Sequence, residues 1–211
     1  MLRKLYNNQE GIRMKQITCL LLTLILALSS AAIAEAEDSV SEFSFKGLKW
    51  GDSMEKVQGV EGTDTVFSGT VKGSTATYIV YEATAVGLDM FLGYYFCDKG
   101  LYEVRYVLAE EHSNDMKYID DYATFKNALT KKYGETVLDF ENWQDDSKKS
   151  YYADMKGDAL SFGYLTYSTI WLLDDTCISM DMSADNYEIS MSVSYQSLDI
   201  DPGESDFSGD I

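Results

Sequence analysis

The stretch Leu88-Asp89-Met90-Phe91-Leu92-Gly93-Tyr94-Tyr95-Phe96-Cys97, followed by Asp98-Lys99-Gly100 and then Leu101-Tyr102-Glu103-Val104-Arg105-Tyr106-Val107-Leu108, decides how this chain is read. Leu88, Met90, Leu92, Tyr94 and Phe96 recur at period two, and Tyr102, Val104, Tyr106 and Leu108 continue the alternation. The Asp-Lys-Gly tripeptide between the two runs is a hairpin signal. Upstream, Tyr78 and Val80 with a turn at Gly87 add a strand, so residues 75 to 109 read as a three-stranded antiparallel meander.

Downstream the period changes. Ile119, Tyr122, Phe125, Leu129 and Tyr133 fall three and four residues apart and stop at Gly134, which predicts a helix over 116–133. Residues 150–155, 169–173, 177–182 and 188–195 then read as strands, with Ile178, Met180, Met182, Ile189, Met191, Val193 and Tyr195 on one side. Cys177, Ser179, Asp181 and serines lie on the other, which predicts one apolar and one wet face. Upstream of the meander, Asp52 and Ser53 offer caps to a short helix from Met54 to Val60. The fold class expected is α+β, with two helix-plus-antiparallel-meander units, 43–112 and 113–198, and helices packed on one face of the sheet or sheets.

The ends of the chain differ from this middle. Arg3, Lys4, Arg13 and Lys15 precede an apolar run from Ile17 to Leu28, and small residues follow to Ala34, the pattern of an export signal over residues 1–34. Cleavage after Ala34 or after Ala36 fits the small-x-small rule, and a start at Met14 gives a more compact signal; a retained span is the alternative. Residues 35–42 read as a flexible leader and 199–211 as an acidic tail. An extracellular, cell-surface or periplasmic location follows from that reading.

Charge removes several function classes. The chain carries 17 basic and 35 acidic residues, a net charge of −18. Beyond residue 34 the balance is 13 against 34, or −21. A phosphate backbone is bound through a basic surface, so nucleic acid is excluded as a partner, and an anionic membrane surface is disfavoured for the same reason. With 45% hydrophobic and 13% aromatic residues, the chain has the means to build a core.

Catalytic and metal patterns are weak. Ser53-Met54-Glu55-Lys56 has the Ser-x-x-Lys spacing of penicillin-recognising enzymes, without their companion elements, and Ser53 already serves as a cap. The lone His112 reads as solvated. Asp199, Asp201, Glu204 and Asp206 fail the EF-hand spacing, Asp145-Asp146 and Asp174-Asp175 read as solvated turns, and one His with distant Cys does not make a tetrahedral zinc set. No metal and no cofactor is therefore expected. Cys97 and Cys177 are the obvious pair for one disulfide in an exported chain, two unpaired thiols being the alternative.

Sixteen Tyr and three Trp are the unusual feature. Tyr95, Tyr151, Tyr164 and Tyr167 are expected near loops or on the outer face, where amphipathic rings recognise protein or glycan, whereas Tyr78, Tyr122, Tyr133 and Trp171 read as core.

The run Phe45-Lys46-Gly47-Leu48-Lys49-Trp50-Gly51-Asp52-Ser53 resembles an opening found in uncharacterised exported proteins of gut-type bacteria, where an aromatic-Gly-aliphatic-x-Trp-Gly strand leads into a short capped helix. The helix-then-meander order used twice is also similar to the β-lactamase inhibitor protein, and the short helix with its Gly-terminated end resembles small outer-membrane assembly lipoproteins. Those resemblances imply export and protein binding. The chain lacks the acylatable Cys of the lipoproteins, since Cys19 lies at the start of the apolar run. The expected function is non-catalytic binding of a protein partner. The alternatives are a serine hydrolase of cell-wall or peptide material using Ser53 and Lys56, and a glycan-binding protein.

Overall fold

The computed structural model describes Phe43 and residues 45–202. In chain order the elements are α1 (Met54–Glu61), β1 (Phe67–Thr70), β2 (Thr77–Ala85), β3 (Leu88–Cys97), β4 (Gly100–Leu108), α2 (Met116–Tyr133), β5 (Leu138–Trp143), α3 (Asp146–Tyr151), α4 (Lys156–Ser161), β6 (Leu165–Leu172), β7 (Thr176–Asp185) and β8 (Glu188–Ser197). All eight strands form one antiparallel sheet in the order β1-β2-β3-β4-β8-β7-β6-β5.

This corrects the expected fold class. Two helix-plus-meander units with helices packed on their sheets are not what forms, because β4 and β8 pair through Val104↔Tyr195, Arg105↔Ser194 and Tyr106↔Val193 and fuse everything into a single sheet. Among the described residues, helical structure is limited to the 18 residues of α2 and three helices of eight residues or fewer. Among the described residues, no helix is long and apolar enough to cross a membrane.

The period-two reading of β3 and β4 holds except at Tyr102, which the alternation placed with Val104 and which lies on the other side. Met90, Leu92, Tyr94, Val104, Tyr106 and Leu108 point into the main core with Ile178, Met180, Met182, Met191, Val193 and Tyr195. A register shift between Tyr95 and Phe96 opposes Phe96 to Leu101, which keeps Leu101 in that core while Tyr102 joins Tyr95 in a separate cluster. Val57 of α1, Tyr118, Tyr122, Phe125 and Leu129 of α2, and Leu160 of α4 belong to the main core as well.

The opposite face is not the wet surface predicted from its serines. Ser179, Ser192 and Ser194 are buried there, together with Glu103 and Arg105, each 2% exposed. The Arg105 Nε–H donates to Glu103 Oε1 at 2.6 Å and to Ser194 Oγ at 3.0 Å, and the Ser194 hydroxyl donates to the same carboxylate at 3.1 Å. Gln196 Nε2 donates to the second Glu103 oxygen at 3.3 Å, and the guanidinium lies 5.0 Å from the Tyr95 ring centre. A buried charge is tolerated when it is paired and hydrogen-bonded in this way, and these two lie on the β4–β8 seam.

The Phe45–Asp52 run ties the halves together. Lys46 and Gly47 take positive φ in a two-residue turn closed by the Phe45↔Leu48 bridge. Phe43 stacks on Trp50 at 3.8 Å, the Phe43 N–H donates to Asp175, and Trp50 Nε1 donates to Thr176 Oγ1 at 2.9 Å. The Gly51 N–H donates to Leu101 O and the Leu101 N–H to Asp52 O, both at 2.9 Å. At Gly100 (φ +95°) a Cβ would meet the Gly51 carbonyl oxygen at 2.3 Å.

The strand reading missed both sheet edges and needs one correction. β1 and β5 are the sheet edges, and their alternation is hidden because they are short or polar and largely exposed. Residues 150–155 are not a strand: Asp145 caps α3, which runs into them. The segment after it forms α4, Lys156–Ser161.

Gly100→Ala is expected to lower stability by about 1–3 kcal/mol through the Gly51 clash and the positive φ, whereas Gly47→Asn, with nothing near its would-be Cβ, changes it by less than about 1 kcal/mol. Urea unfolding of the two variants checks the contrast.

Candidate functional site

Five aromatic rings gather at the end of the sheet where β7 turns into β8. Tyr151 meets Tyr152 at 4.8 Å, Tyr152 meets Tyr164 at 5.5 Å and Phe162 at 5.9 Å, and Phe162 touches Tyr164 at 5.8 Å and Tyr187 at 5.7 Å. Tyr151 is 71% exposed and Tyr187 72%, with Phe162 and Met155 also exposed. Lys148 Nζ sits 3.9 Å from the Tyr164 ring centre, so one ring face already receives a cation.

Local chemistry builds this platform. Asp145 accepts the Lys148 N–H at 2.9 Å and the Ser147 hydroxyl at 2.5 Å, starting α3, and those two bonds hold its carboxyl below the usual range. α3 stops at Tyr151, Met155 N bonds Tyr152 O, and α4 follows. Tyr164 is then fixed by its N–H to Ala159 O at 2.8 Å and by accepting Gln144 N at 2.9 Å. Exposed carboxylates at Asp145, Asp146, Asp154, Asp158, Asp185 and Glu188 lie in the same segments.

Tyr187 is the informative residue. It occupies the second place of the Asn186-Tyr187 turn with φ +68°, after Asn186 at +49°. The β2–β3 turn uses the same geometry, but puts Gly87 (φ +83°) at that place behind Val86 (φ +50°). Glycine adopts this conformation without steric cost, whereas a bulky residue there is strained. The fold gives no visible reason for a tyrosine at Tyr187, which stands mostly in solvent.

Of the four tyrosines singled out from the sequence, Tyr151 and Tyr164 belong to this cluster. Tyr95 does not: it is 4% exposed, packed beside Tyr78 and under Arg105. Tyr167 lies on the core side, its ring 5.4 Å from Tyr122. Tyr152, Phe162 and Tyr187 were missed because their meeting depends on how α3, α4 and the β7–β8 turn converge. Asp185-Asn186 between two alternating runs was the one available signal for the turn.

The other sequence candidates take structural positions. Ser53 Oγ accepts the Lys56 N–H at 3.4 Å as a cap, and Lys56 Nζ pairs with Asp52 at 2.8 Å. Asp175 anchors Phe43 and Thr176. Glu204 and Asp206 of the acidic tail, and the residues of the export signal and leader, lie outside the described residues. Cys97 is a free thiol, so its expected bridge to Cys177 is absent. β3 and β7 are separated by β4 and β8, which sets the two cysteines at least about 14 Å apart at ~4.8 Å per strand, too far for a disulfide. His112 is half-buried against Asp121 and Tyr118, not solvated as expected.

A second polar feature sits inside the core edge. Tyr94 donates to Glu61, which also pairs with Lys46 at 2.7 Å. Burial and then that carboxylate push the Tyr94 phenol far above its ordinary range, and burial with the Glu61 charge pushes Tyr106 up to about 12. This network closes the end of α1 against the sheet.

No protein-family model, curated protein or solved structure matches the chain.

Because Tyr187 meets Phe162 alone among the described aromatic rings and strains its turn, Tyr187→Gly is expected to leave stability unchanged or raise it by up to about 1 kcal/mol. Thermal unfolding of Tyr187→Gly beside the parent checks it; a clear loss of stability shows a folding role for the ring.

Proposed function

We propose that this chain is an exported, non-catalytic binding protein whose contact surface is the aromatic platform of Tyr151, Tyr152, Phe162, Tyr164 and Tyr187, and that its partner is a protein presenting basic side chains. The observation that carries the reading is Tyr187, a mostly exposed ring kept in a left-handed turn position where glycine would be unstrained. Residues held against local preference cluster at functional sites. The partner's charge follows from the surroundings. Rings accept cations on their faces, as Lys148 on Tyr164 shows, and the exposed carboxylates of the same segments attract a basic surface and speed its approach.

The test uses a panel of ten-residue peptides, basic, neutral and acidic, with an oligosaccharide array beside them. Salt-sensitive binding of the arginine- and lysine-rich peptides is expected, with Tyr187→Gly and Tyr151→Ala each weakening it about three- to thirtyfold, the range of a partly desolvated cation–π contact. Basic-peptide binding that ignores both substitutions reduces the effect to net charge and rejects the platform. Retention on the sugar array that depends on the same rings moves the reading to glycan recognition.

A further inference from the structure

A different corner of the molecule, independent of the binding platform, brings together side chains that the sequence kept apart. Glu110 and His112 are alternate residues of the crossover between β4 and α2, and Asp121 is in α2. One ligand atom from each lies within 4.8 Å of the other two. His112 Nε2 is 2.5 Å from Asp121 Oδ2.

The ligands are held by neighbours. The His112 ring stands edge-on to Tyr118 at 4.8 Å, and the His112 N–H donates to the Tyr118 hydroxyl at 3.1 Å. Glu110 Oε1 accepts the Asp89 N–H at 3.1 Å, which orients the carboxylate. Such outer partners are what fix the direction of metal ligands. Among the described residues, neither Glu110 nor Asp121 forms an ion pair with a lysine or arginine. Two half-buried carboxylates without a lysine or arginine partner therefore face one imidazole, which Asp121 already contacts.

We propose that Glu110, His112 and Asp121 form a binding site for one divalent transition-metal ion of the zinc type. Zinc bonds of about 2.0–2.2 Å to nitrogen and oxygen place ligand atoms roughly 3.3 Å apart in a tetrahedral set, so His112 Nε2 and Asp121 Oδ2, now in hydrogen-bond contact, open slightly to admit the ion, and Glu110, with an oxygen within 4.8 Å of both, completes the set. One imidazole and two carboxylates suit a borderline ion; calcium takes six to eight oxygens, and soft monovalent copper prefers sulfur. With three protein ligands, water completes the coordination. The ion clamps the crossover to α2, directly after the strand that carries the sheet seam.

The chain's single histidine makes the test unambiguous. Zinc is titrated into the untagged full chain, in competition with a chromogenic chelator, while the imidazole signals are followed by NMR. One ion per chain is expected, together with displacement of the imidazole signals and a rise in the unfolding temperature. His112→Gln and Glu110→Gln should each weaken binding at least about tenfold, the lower end of what even outer partners contribute. Glu110→Gln keeps an oxygen to accept the Asp89 N–H, so it carries the test if His112→Gln fails to fold. Imidazole signals unmoved at saturating zinc, or unchanged affinity in the folded glutamine variants, overturn the site and leave only scattered surface carboxylates.

Discussion

The pairing of β4 with β8 is the constraint from which the rest of the molecule follows. Without it the chain is two four-stranded runs, each with one greasy face and an exposed inner edge. With it, Val104, Tyr106, Val193 and Tyr195 form the middle of one continuous core, and the edges move outward to β1 and β5, short strands that β5 guards with Asp139 and Glu141. The charged pair Arg105 and Glu103 sits on the seam and reaches Ser194 and Gln196 across it. A buried guanidinium and carboxylate with complementary partners on the neighbouring strand disfavour a slipped register, because a one-residue shift would turn each to the wrong face.

That frame explains where surface chemistry can collect. The inner strands β3, β4, β7 and β8 are fixed on both sides, so variation is left to the turns and to the α3–α4 insertion before β6. The aromatic platform lies there, between an insertion held by backbone bonds to Tyr164 and a turn that keeps Tyr187 outward. The Glu110, His112 and Asp121 corner lies on the other connection, between β4 and α2.

How much of this was visible in the amino acids depends on the length scale of each feature. The alternation of Leu88 to Leu108 and the three-and-four spacing from Ile119 to Tyr133 gave β3, β4 and α2 closely, because those signals are local. Edge strands such as Leu138–Trp143 carry no buried alternation and left no trace. The fusion into one sheet was not legible, since nothing in the order of elements states that the last strand pairs with the fourth. Likewise Ser179 and Ser194 read as solvent-facing by type, yet they are buried in the rank that contains Arg105. Tyr151 and Tyr164 could be placed near a surface by their polar neighbours. Tyr95 could not be told from them, and neither the convergence on Tyr187 nor the meeting of His112 with Asp121 leaves a sequence pattern.

The strap at the start of the described chain has a temporal side. Phe43 and Trp50 find their hydrogen-bond partners 132 and 126 residues further on, at Asp175 and Thr176. A polypeptide emerging from one end cannot settle its first aromatic pair, nor zip its central seam, until nearly the whole length has been delivered. Such distant closures slow the search for the native state. The seam and the strap therefore stay open until the last strands arrive, and the many carboxylates help keep the chain dispersed during the wait.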